Sequence, residues 1–209
     1  MNEFIEKPIN KRSRSNKYIV HGIGINDAEY IVHYRDKDGN IVQCPFYSVW
    51  CGFMRRCYSN AFKARCPTYQ ECSAVDDWHL FSNFKKWMET QDWKGKDLDK
   101  DILFIGNKIY SPKTCLFIDE EINTLINYHD NRKRNHPLGV SLHKPTGLFR
   151  SRCNVNGKCA SLGYFKTSED ASNAYKVFKA GHIKKVADKQ DPIIKEALIK
   201  HADLLLTGV

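Results

Sequence analysis

Three short runs of alternating apolar and polar residues lie in the C-terminal part of the chain, and each ends at a turn. The runs begin at Leu138, Leu148 and Cys159, and the last two extend over 148–155 and 159–165. The sequence 145–147, Pro-Thr-Gly, separates the first two runs. Asn156-Gly157 separates the last two and is a strong hairpin signal, because a two-residue type I′ turn requires positive φ at both central positions. The pattern therefore predicts a three-stranded antiparallel sheet.

A helix is predicted directly after the third run. The sequence 167–170, Thr-Ser-Glu-Asp, is typical of a helix N-terminus; Ser168 is the predicted N-cap, and the acids lie at the positive end of the helix dipole. Apolar residues then recur at helical spacing: Ala171, Ala174, Tyr175 and Phe178. If this helix covers one face of the sheet, the other face is free. The cations expected on that free face are Lys144, Arg150, Arg152 and Lys158.

This combination of motifs resembles the APETALA-type DNA-binding domain of plant transcription factors and many phage homing-endonuclease-like proteins. The matching residues are Leu138-Gly139-Val140, Gly147, Phe149-Arg150, Arg152, Asn156-Gly157-Lys158, Leu162-Gly163-Tyr164-Phe165, Thr167 and 171–175. The resemblance covers roughly fifty residues, which is the length of a small domain. It implies that the sheet lies in the major groove of DNA. The chain departs from the plant domains at His143-Lys144 and Ser151, so base specificity does not carry over.

The first half of the chain predicts a hairpin followed by aromatic-rich helices. Residues 30–35 and 41–46 are strand-like and flank a turn sequence, DKDGN. Residues 47–59 place apolar side chains at helical spacing, and Asp76-Asp77 begins a second helix with aromatic residues along one side. The four tryptophans of the chain lie between positions 50 and 93 and are expected in a core. A terminal amphipathic helix is predicted at 192–206, and the fold class is α+β.

Residues 97–123 carry the candidate catalytic chemistry. A strand ending at Asp99, Lys100 and Asp101 leads through a glycine turn into a second strand and a helix that bears Asn123. This order resembles the ββα-metal finger of His-Asn-His (HNH) endonucleases of the phage type. Upstream matches to that branch are Trp50, Met54, Arg56-Cys57-Tyr58, Tyr69, Cys72, Val75, Trp78, Phe81, Phe84 and Trp87. Together, the two resemblances cover most of the chain.

The HNH resemblance implies metal-dependent hydrolysis of DNA phosphodiester bonds. Asp99, Asp101 and Asn123 would hold Mg²⁺ or Mn²⁺, since oxygen ligands suit these cations and the cation stabilises developing charge on the phosphate. The family also supplies a general-base histidine, and none lies between His79 and His129. Lys100 lies in the part of the sequence where the family has that histidine, and two interpretations of the chain remain open. One is an active endonuclease; the other is a catalytically inactive DNA-binding protein on the same scaffold, a regulator or a factor acting against host machinery.

The positive charge of the chain is concentrated in its second half. The 209 residues carry 33 Lys+Arg and 24 Asp+Glu, a net charge of +9. Residues 129–209 hold 15 Lys+Arg against 7 Asp+Glu, leaving 18 against 17 in residues 1–128. Double-stranded DNA is therefore the expected partner of the C-terminal part. The predicted organisation is a basic arm over 1–17, a nuclease-like module over 18–130, a linker over 131–137 containing Arg132, Lys133 and Arg134, and the DNA reader over 138–209.

Composition also bears on location and on metal binding. No apolar run approaches the ~20 residues that span a bilayer, and the N-terminus lacks the order of a secretory signal. The protein is expected inside the cell, in the host cytoplasm if phage-encoded, with its eight cysteines reduced and no membrane partner. The spacings among Cys57, Cys66, Cys72 and Cys115 are poor for structural zinc, which favours about two to four intervening residues. Buried hydrophobic thiols are the favoured interpretation.

Overall fold

The computed structural model describes residues 4–10, 19–126, 135–155 and 157–207. These residues belong to two compact units, Met1–Ile118 and Asp119–Val209. The predicted α+β class is confirmed, since several small sheets and helices make up the two units. No helix of the described ranges is both long enough and apolar enough to cross a membrane.

The described residues of the first unit form short strands and three α-helices. The helices are α1 (Pro45–Tyr58), α2 (Asn60–Arg65) and α3 (Phe81–Met88), with 3₁₀ helices at Pro67–Tyr69 and Asp76–His79. The strands are β1 (Ile19–Val20), β2 (Gly24–Ile25), β3 (His33–Arg35), β4 (Ile41–Gln43), β5 (Ser73–Ala74), β6 (Asp97–Asp99), β7 (Ile109–Tyr110) and β8 (Leu116–Ile118). β1–β2, β3–β4 and β6–β8 pair antiparallel, whereas β5 and β7 pair parallel.

The core of the first unit is aromatic and is centred on α1. Trp50, Phe53 and Met54 are fully buried on this helix, and Trp78 and Phe84 pack in the same cluster. The indole Nε1–H of Trp50 donates to the carbonyl oxygen of Trp78 at 2.8 Å, which satisfies a polar group that would be costly to bury alone. The prediction that the tryptophans are core residues is confirmed for Trp50 and Trp78, whereas Trp87 and Trp93 are partly buried and pack against the cluster.

Two predicted elements of the first unit are realised with different bounds. The predicted hairpin is present as β3 and β4, but β4 ends early because Pro45 begins α1 at the position where helices tolerate proline. The helix predicted from Asp76 is broken at Leu80, whose extended backbone forms a bridge with Ile25. Asp76 therefore does not cap α3, which has Leu80 at its N-cap without a side-chain hydrogen bond.

Part of the predicted basic arm lies against the first unit. The Phe4 ring is 6.0 Å from the ring of Tyr30 and 5.7 Å from that of Tyr34. The carbonyl oxygen of Lys7 accepts from the amide of Ile31 at 2.9 Å, and the Lys7 ammonium lies 3.6 Å above the Tyr34 ring. Lys7 is therefore engaged within the unit. The arm residues 11–17 lie outside the described residues.

The second unit contains the predicted three-stranded sheet. Its elements are α4 (Glu120–Ile126), β9 (Val140–His143), β10 (Leu148–Val155), β11 (Lys158–Phe165), α5 (Ser168–Ala187) and α6 (Pro192–Thr207). The strand order is β11-β10-β9, antiparallel throughout, so this prediction is confirmed. The long helix α5 packs on all three strands, and the predicted terminal helix α6 packs on α5.

The helix-facing side of the sheet is closely packed. Ser151 and Cys153 of β10 are buried, as are Ala171 and Tyr175 of α5. Gly139 has φ +77°, and a Cβ at that position would collide with the Tyr175 ring. Glycine is required there both for its backbone conformation and for the close approach of the ring. This packing leaves the opposite side of the sheet uncovered by α5.

Two details predicted for α5 are wrong, its N-cap residue and the path of its apolar stripe. Thr167 is the N-cap, with extended backbone and an Oγ1 that accepts from the Asp170 amide at 3.1 Å. Ser168 is already the first helical residue, and its buried Oγ has no hydrogen-bond partner among the described residues. The apolar stripe does not pass through Phe178, which is 38% exposed; the buried positions continue from Tyr175 every fourth residue to Ile183 instead.

Candidate nucleic-acid interface

The side of the sheet turned away from α5 carries two neighbouring arginines. Exposure alternates along β10, with Ser151 and Cys153 buried and Arg152 and Asn154 exposed. Because side chains alternate between the two faces of a strand, Arg150 shares the face of Arg152 and Asn154. We call this the outer face. The sequence prediction that Arg150 and Arg152 lie together on one free face agrees with this placement.

The register of the sheet identifies the neighbours of the two arginines. Tyr164 of β11 lies opposite Arg150, and Ser161 lies opposite Arg152. The register shifts between these two pairs, so β11 contains one extra residue, Leu162. A bulge of this kind increases the local twist of the sheet. The outer face therefore presents a hydroxyl-bearing side chain beside each arginine.

An aromatic pair lies at the Arg150 end of the outer face. The His143 and Tyr164 rings are 5.0 Å apart and inclined by 66°, a favourable edge-to-face arrangement. The Nδ1 atom of His143 is 2.8 Å from the Oγ1 of Thr146 in the turn after β9. From the sequence, His143 was noted only as a departure from a family pattern and Tyr164 only as a residue that matches it, and neither was assigned to this face. The two-residue alternation of β9 was the signal that could have placed His143 on this face, whereas Tyr164 shares the face of Ser161 only because of the bulge at Leu162.

The sheet is free of acidic side chains. None of the residues in β9, β10 and β11 is Asp or Glu, whereas Arg150 and Arg152 both lie on the central strand. Arg150 is half-buried, and its Nε has no hydrogen-bond partner among the described residues. Strands that carry cations and no acidic side chains contribute a positive local potential that attracts phosphate. The outer face is thus electrostatically suited to a polyanion.

The other predicted DNA-contacting cations do not join this pair on the central strand. Lys144 is exposed in the turn that connects β9 and β10. Lys158 is exposed at the start of β11, but it pairs with Val155, and this register places it on the opposite side from Asn154. Arg132, Lys133 and Arg134 lie outside the described residues.

The predicted catalytic aspartates lie in a loop of the first unit, where Asp99 closes a local turn. Its Oδ1 accepts from the amide of Asp101 at 2.7 Å and from the amide of Ile102 at 2.6 Å. Burial raises the pKa of Asp99, while these two hydrogen bonds act in the opposite direction. The carboxylate therefore stabilises the exit from β6, which is a common role for aspartate at the start of a turn.

Lys100 connects the two ends of the same loop. It is 5% exposed, and its Nζ donates to Asp101 Oδ2 at 2.6 Å and to the Asn107 carbonyl oxygen at 2.7 Å. The Asn107 side chain donates in return to the carbonyl oxygens of Lys100, at 2.9 Å, and Ile109, at 2.7 Å. We call these contacts the Lys100 clamp. Sequence reasoning missed the role of Asn107, because it depends on closure of the loop.

The donor atoms near Asp101 do not fit the divalent cation that the HNH resemblance implies. The ammonium of Lys100 already occupies the position of a cation beside Asp101 Oδ2. Asp99 Oδ1 is bound to two backbone amides, and Asp101 Oδ1 is a buried oxygen without a hydrogen-bond partner in the described ranges. Asn123 lies on α4, in the second unit. No group of three or more His, Cys, Asp or Glu side chains suited to a metal occurs among the described residues.

The four cysteines considered as a possible zinc set are buried or half-buried thiols. Cys57, Cys72 and Cys115 are buried, and Cys66 is half-buried. Burial raises the pKa of Cys57 and of Cys115 to about 12 in each case. Three of the four thiols are thus buried, which agrees with the interpretation that they pack in the core.

The structure therefore brings together two of the predicted sets of residues, each within one unit. Arg150 and Arg152 form a cationic pair on the outer face, and Asp99, Lys100 and Asp101 form a hydrogen-bonded loop. In the first set Arg152 is exposed and Arg150 is half-buried, whereas the second set is largely satisfied by its own contacts. No protein-family model, no curated protein and no solved structure shows a significant match to this chain.

Proposed function

We propose that this protein binds double-stranded DNA through the outer face of the sheet in its second unit. The observation that carries the proposal is the pair of arginines, Arg150 and Arg152, on one face of a sheet that lacks acidic residues. Arginine offers a planar set of donors that suits both phosphates and guanine edges. The charge excess of residues 129–209, with 15 Lys+Arg against 7 Asp+Glu, supports the same partner.

The test measures duplex binding by the full chain across a range of salt concentrations. Fluorescence anisotropy with a labelled duplex of mixed sequence gives the Kd, and log affinity should fall with log salt by about 0.9 for each phosphate contact. Arg150→Ala combined with Arg152→Ala should weaken binding by at least roughly 10-fold at low salt and make the salt dependence shallower.

A matched variant separates the outer face from general charge. Lys185→Ala combined with Lys189→Ala removes the same two charges from exposed positions on and after α5. Compared at about 0.15 M salt, where surface charges are strongly screened, this pair should change duplex affinity by less than about 3-fold, because it removes no side chain of the outer face. Equal losses in the two double variants, or a complex insensitive to salt, would refute the proposal.

Hydrolysis of DNA is not part of this proposal, because Asp99 and Asp101 are engaged in the Lys100 clamp and its turn. The activity that the HNH resemblance implies has a direct assay: supercoiled plasmid incubated with the full chain in Mg²⁺ or Mn²⁺. Metal-dependent nicking that disappears in Asp99→Ala and in Asp101→Ala would establish an endonuclease. Intact plasmid together with salt-dependent binding agrees with a DNA-binding protein that does not cleave.

A further inference from the structure

One side of α5 carries apolar residues but is open to solvent. The helix packs on all three strands of the sheet and on α6, yet Val177 is 64% exposed and Phe178 is 38% exposed. Ala174 is half-buried and Gly181 is exposed. These four residues follow the spacing i, i+3, i+4 and i+7, which is the pattern of a helix that packs against another element. We call them the solvent stripe of α5.

Gly181 has no evident role within its own unit. It lies in the interior of α5, Ser168–Ala187, where glycine destabilises a helix relative to alanine. A Cβ at this position would have no atom within 4 Å, so the packing of the chain does not require glycine. A glycine also lets another backbone approach closely. A second helix lying across the solvent stripe would therefore give this residue a physical reason.

The charges on the same side of α5 are self-complementary. Asp170 lies seven residues before Val177 and Lys184 lies seven residues after it, so all three share one side of the helix. When two copies of α5 cross at Val177 in antiparallel orientation, Asp170 of each copy faces Lys184 of the other. A parallel pair would instead place like charges opposite one another. A two-fold symmetric interface requires a self-complementary surface, and the antiparallel arrangement provides it.

The contacts that these two residues make within the chain leave room for a second partner. Lys184 Nζ is 2.8 Å from Asp203 Oδ1, and both side chains are about half exposed. Asp170 Oδ2 accepts from the hydroxyl of Thr167 at 2.7 Å. An ammonium group has three donors, and a carboxylate accepts several hydrogen bonds.

We propose that the solvent stripe of α5 is the interface of a two-fold symmetric dimer, in which a second copy of this chain packs antiparallel through the same residues. Val177 meets its own copy near the two-fold axis, and Gly181 lies opposite Ala174 of the second copy. One pair of helices buries less surface than a standard interface, so the Kd should be roughly 10–100 µM. The dimer does not depend on the proposed DNA binding.

Sedimentation velocity of the full chain without nucleic acid, at about 0.15 M salt, measures the dimer. Wild-type chain should pass from monomer to dimer across a range of roughly 1–200 µM. Val177→Glu places two like charges near the axis and should weaken the dimer by at least roughly 10-fold. Ile41→Glu is the matched control, because Ile41 of β4 is 66% exposed, and it should leave the Kd unchanged. Lys184→Met removes two exposed ion pairs per dimer and should weaken it by roughly 5-fold.

A variant at Gly181 separates loss of the interface from misfolding. Gly181→Met improves helix propensity and meets open space in the single chain, so the Tm of dilute protein should stay the same or rise. The methionine side chain blocks the close approach of the second helix, and the dimer should weaken by at least roughly 10-fold. If Gly181→Met leaves the dimer intact, the inference is wrong.

Disulfide cross-linking tests the antiparallel orientation. In a Cys159→Ser background, which removes the exposed native thiol, Val177→Cys should give a covalent dimer with oxidised glutathione. Asn173→Cys should not, because the two copies of position 173 are eight residues, or about 12 Å, apart along the axis. Equal cross-linking of both variants indicates a parallel pair and overturns the inference. A chain that stays monomeric over the whole concentration range also overturns it, and leaves the proposed DNA binding untouched.

Discussion

The Lys100 clamp predicts that removal of one ammonium group destabilises the first unit. Lys100→Met keeps most of the buried aliphatic volume and deletes the charge. The Asn107 carbonyl oxygen then loses its donor at 2.7 Å, and an orphaned acceptor costs about 1–3 kcal/mol. Breaking a buried ion pair costs about 3–5 kcal/mol, but the Asp101 side chain is 41% exposed and water compensates for much of that loss. We expect the free energy of unfolding to fall by about 2–3 kcal/mol.

Tryptophan fluorescence measures this change in the first unit alone. All four tryptophans lie at positions 50–93, within Met1–Ile118, so their emission follows the unfolding of that unit. For a unit of this size, the expected loss corresponds to a decrease in Tm of roughly 8–12 °C. Lys86→Met makes the same chemical change at an exposed position of α3, and its effect should stay within about 0.5 kcal/mol.

Two results would refute the role assigned to the clamp. One is an unfolding free energy of Lys100→Met that differs from the wild-type value by less than about 0.5 kcal/mol. The other is a wild-type Tm that falls on addition of EDTA and recovers with Mn²⁺, because a clamp closed by an ammonium group needs no divalent cation. A double-mutant cycle with Asp101→Ala measures the pair directly, and we expect a coupling of about 1 kcal/mol or more.

Two further predictions concern the second unit and are measured by thermal unfolding with circular dichroism. Gly139→Ala should destabilise the chain by about 3 kcal/mol or more, because φ is +77° and the new methyl group meets the Tyr175 ring; an unchanged Tm would contradict the packing described. Lys179→Met should raise the Tm at neutral pH, because burial lowers the pKa of Lys179. The charged form is then disfavoured in the folded state, so wild-type stability should rise with pH towards the unfolded-state pKa and fall as pH decreases. Lys179→Met should remove this alkaline rise, whereas Lys185→Met on the exposed side of α5 should retain it.

Elements defined by periodicity were predictable, and elements defined by long-range contacts were not. The bounds predicted for the second strand of the C-terminal sheet agree with β10, Leu148–Val155, since alternation and flanking turns are local signals. The break before α3 depends on Leu80 bridging to Ile25, two positions far apart in the chain. No local pattern around Leu80 indicates that contact.

A shift of one residue along a strand moves a side chain to the other face of the sheet, and the predictions for the outer face depended on this. Arg150 and Arg152 were assigned to one face correctly, because their spacing of two is independent of where the strand begins. Lys158 was placed with them, although β11 begins at Lys158 and pairs it with Val155. A strand has a side-chain period of two, so adjacent residues belong to opposite faces. A one-residue error also accounts for the wrong N-cap of α5, which was predicted at Ser168 and lies at Thr167.

The resemblance of residues 97–110 to a catalytic finger has a physical explanation that needs no catalysis. Asp99, Lys100 and Asp101 contribute to that resemblance, and each of them, together with Asn107, makes a hydrogen bond that closes the loop. A loop that depends on these bonds retains the same residue types at the same spacing whether or not a phosphate is cleaved. The surface proposed to contact DNA lies in the other unit, with its own sheet and helices. Lys100→Met should therefore lower the Tm of the first unit and leave duplex affinity unchanged. Arg150→Ala combined with Arg152→Ala should weaken duplex binding and leave the Tm of the first unit unchanged.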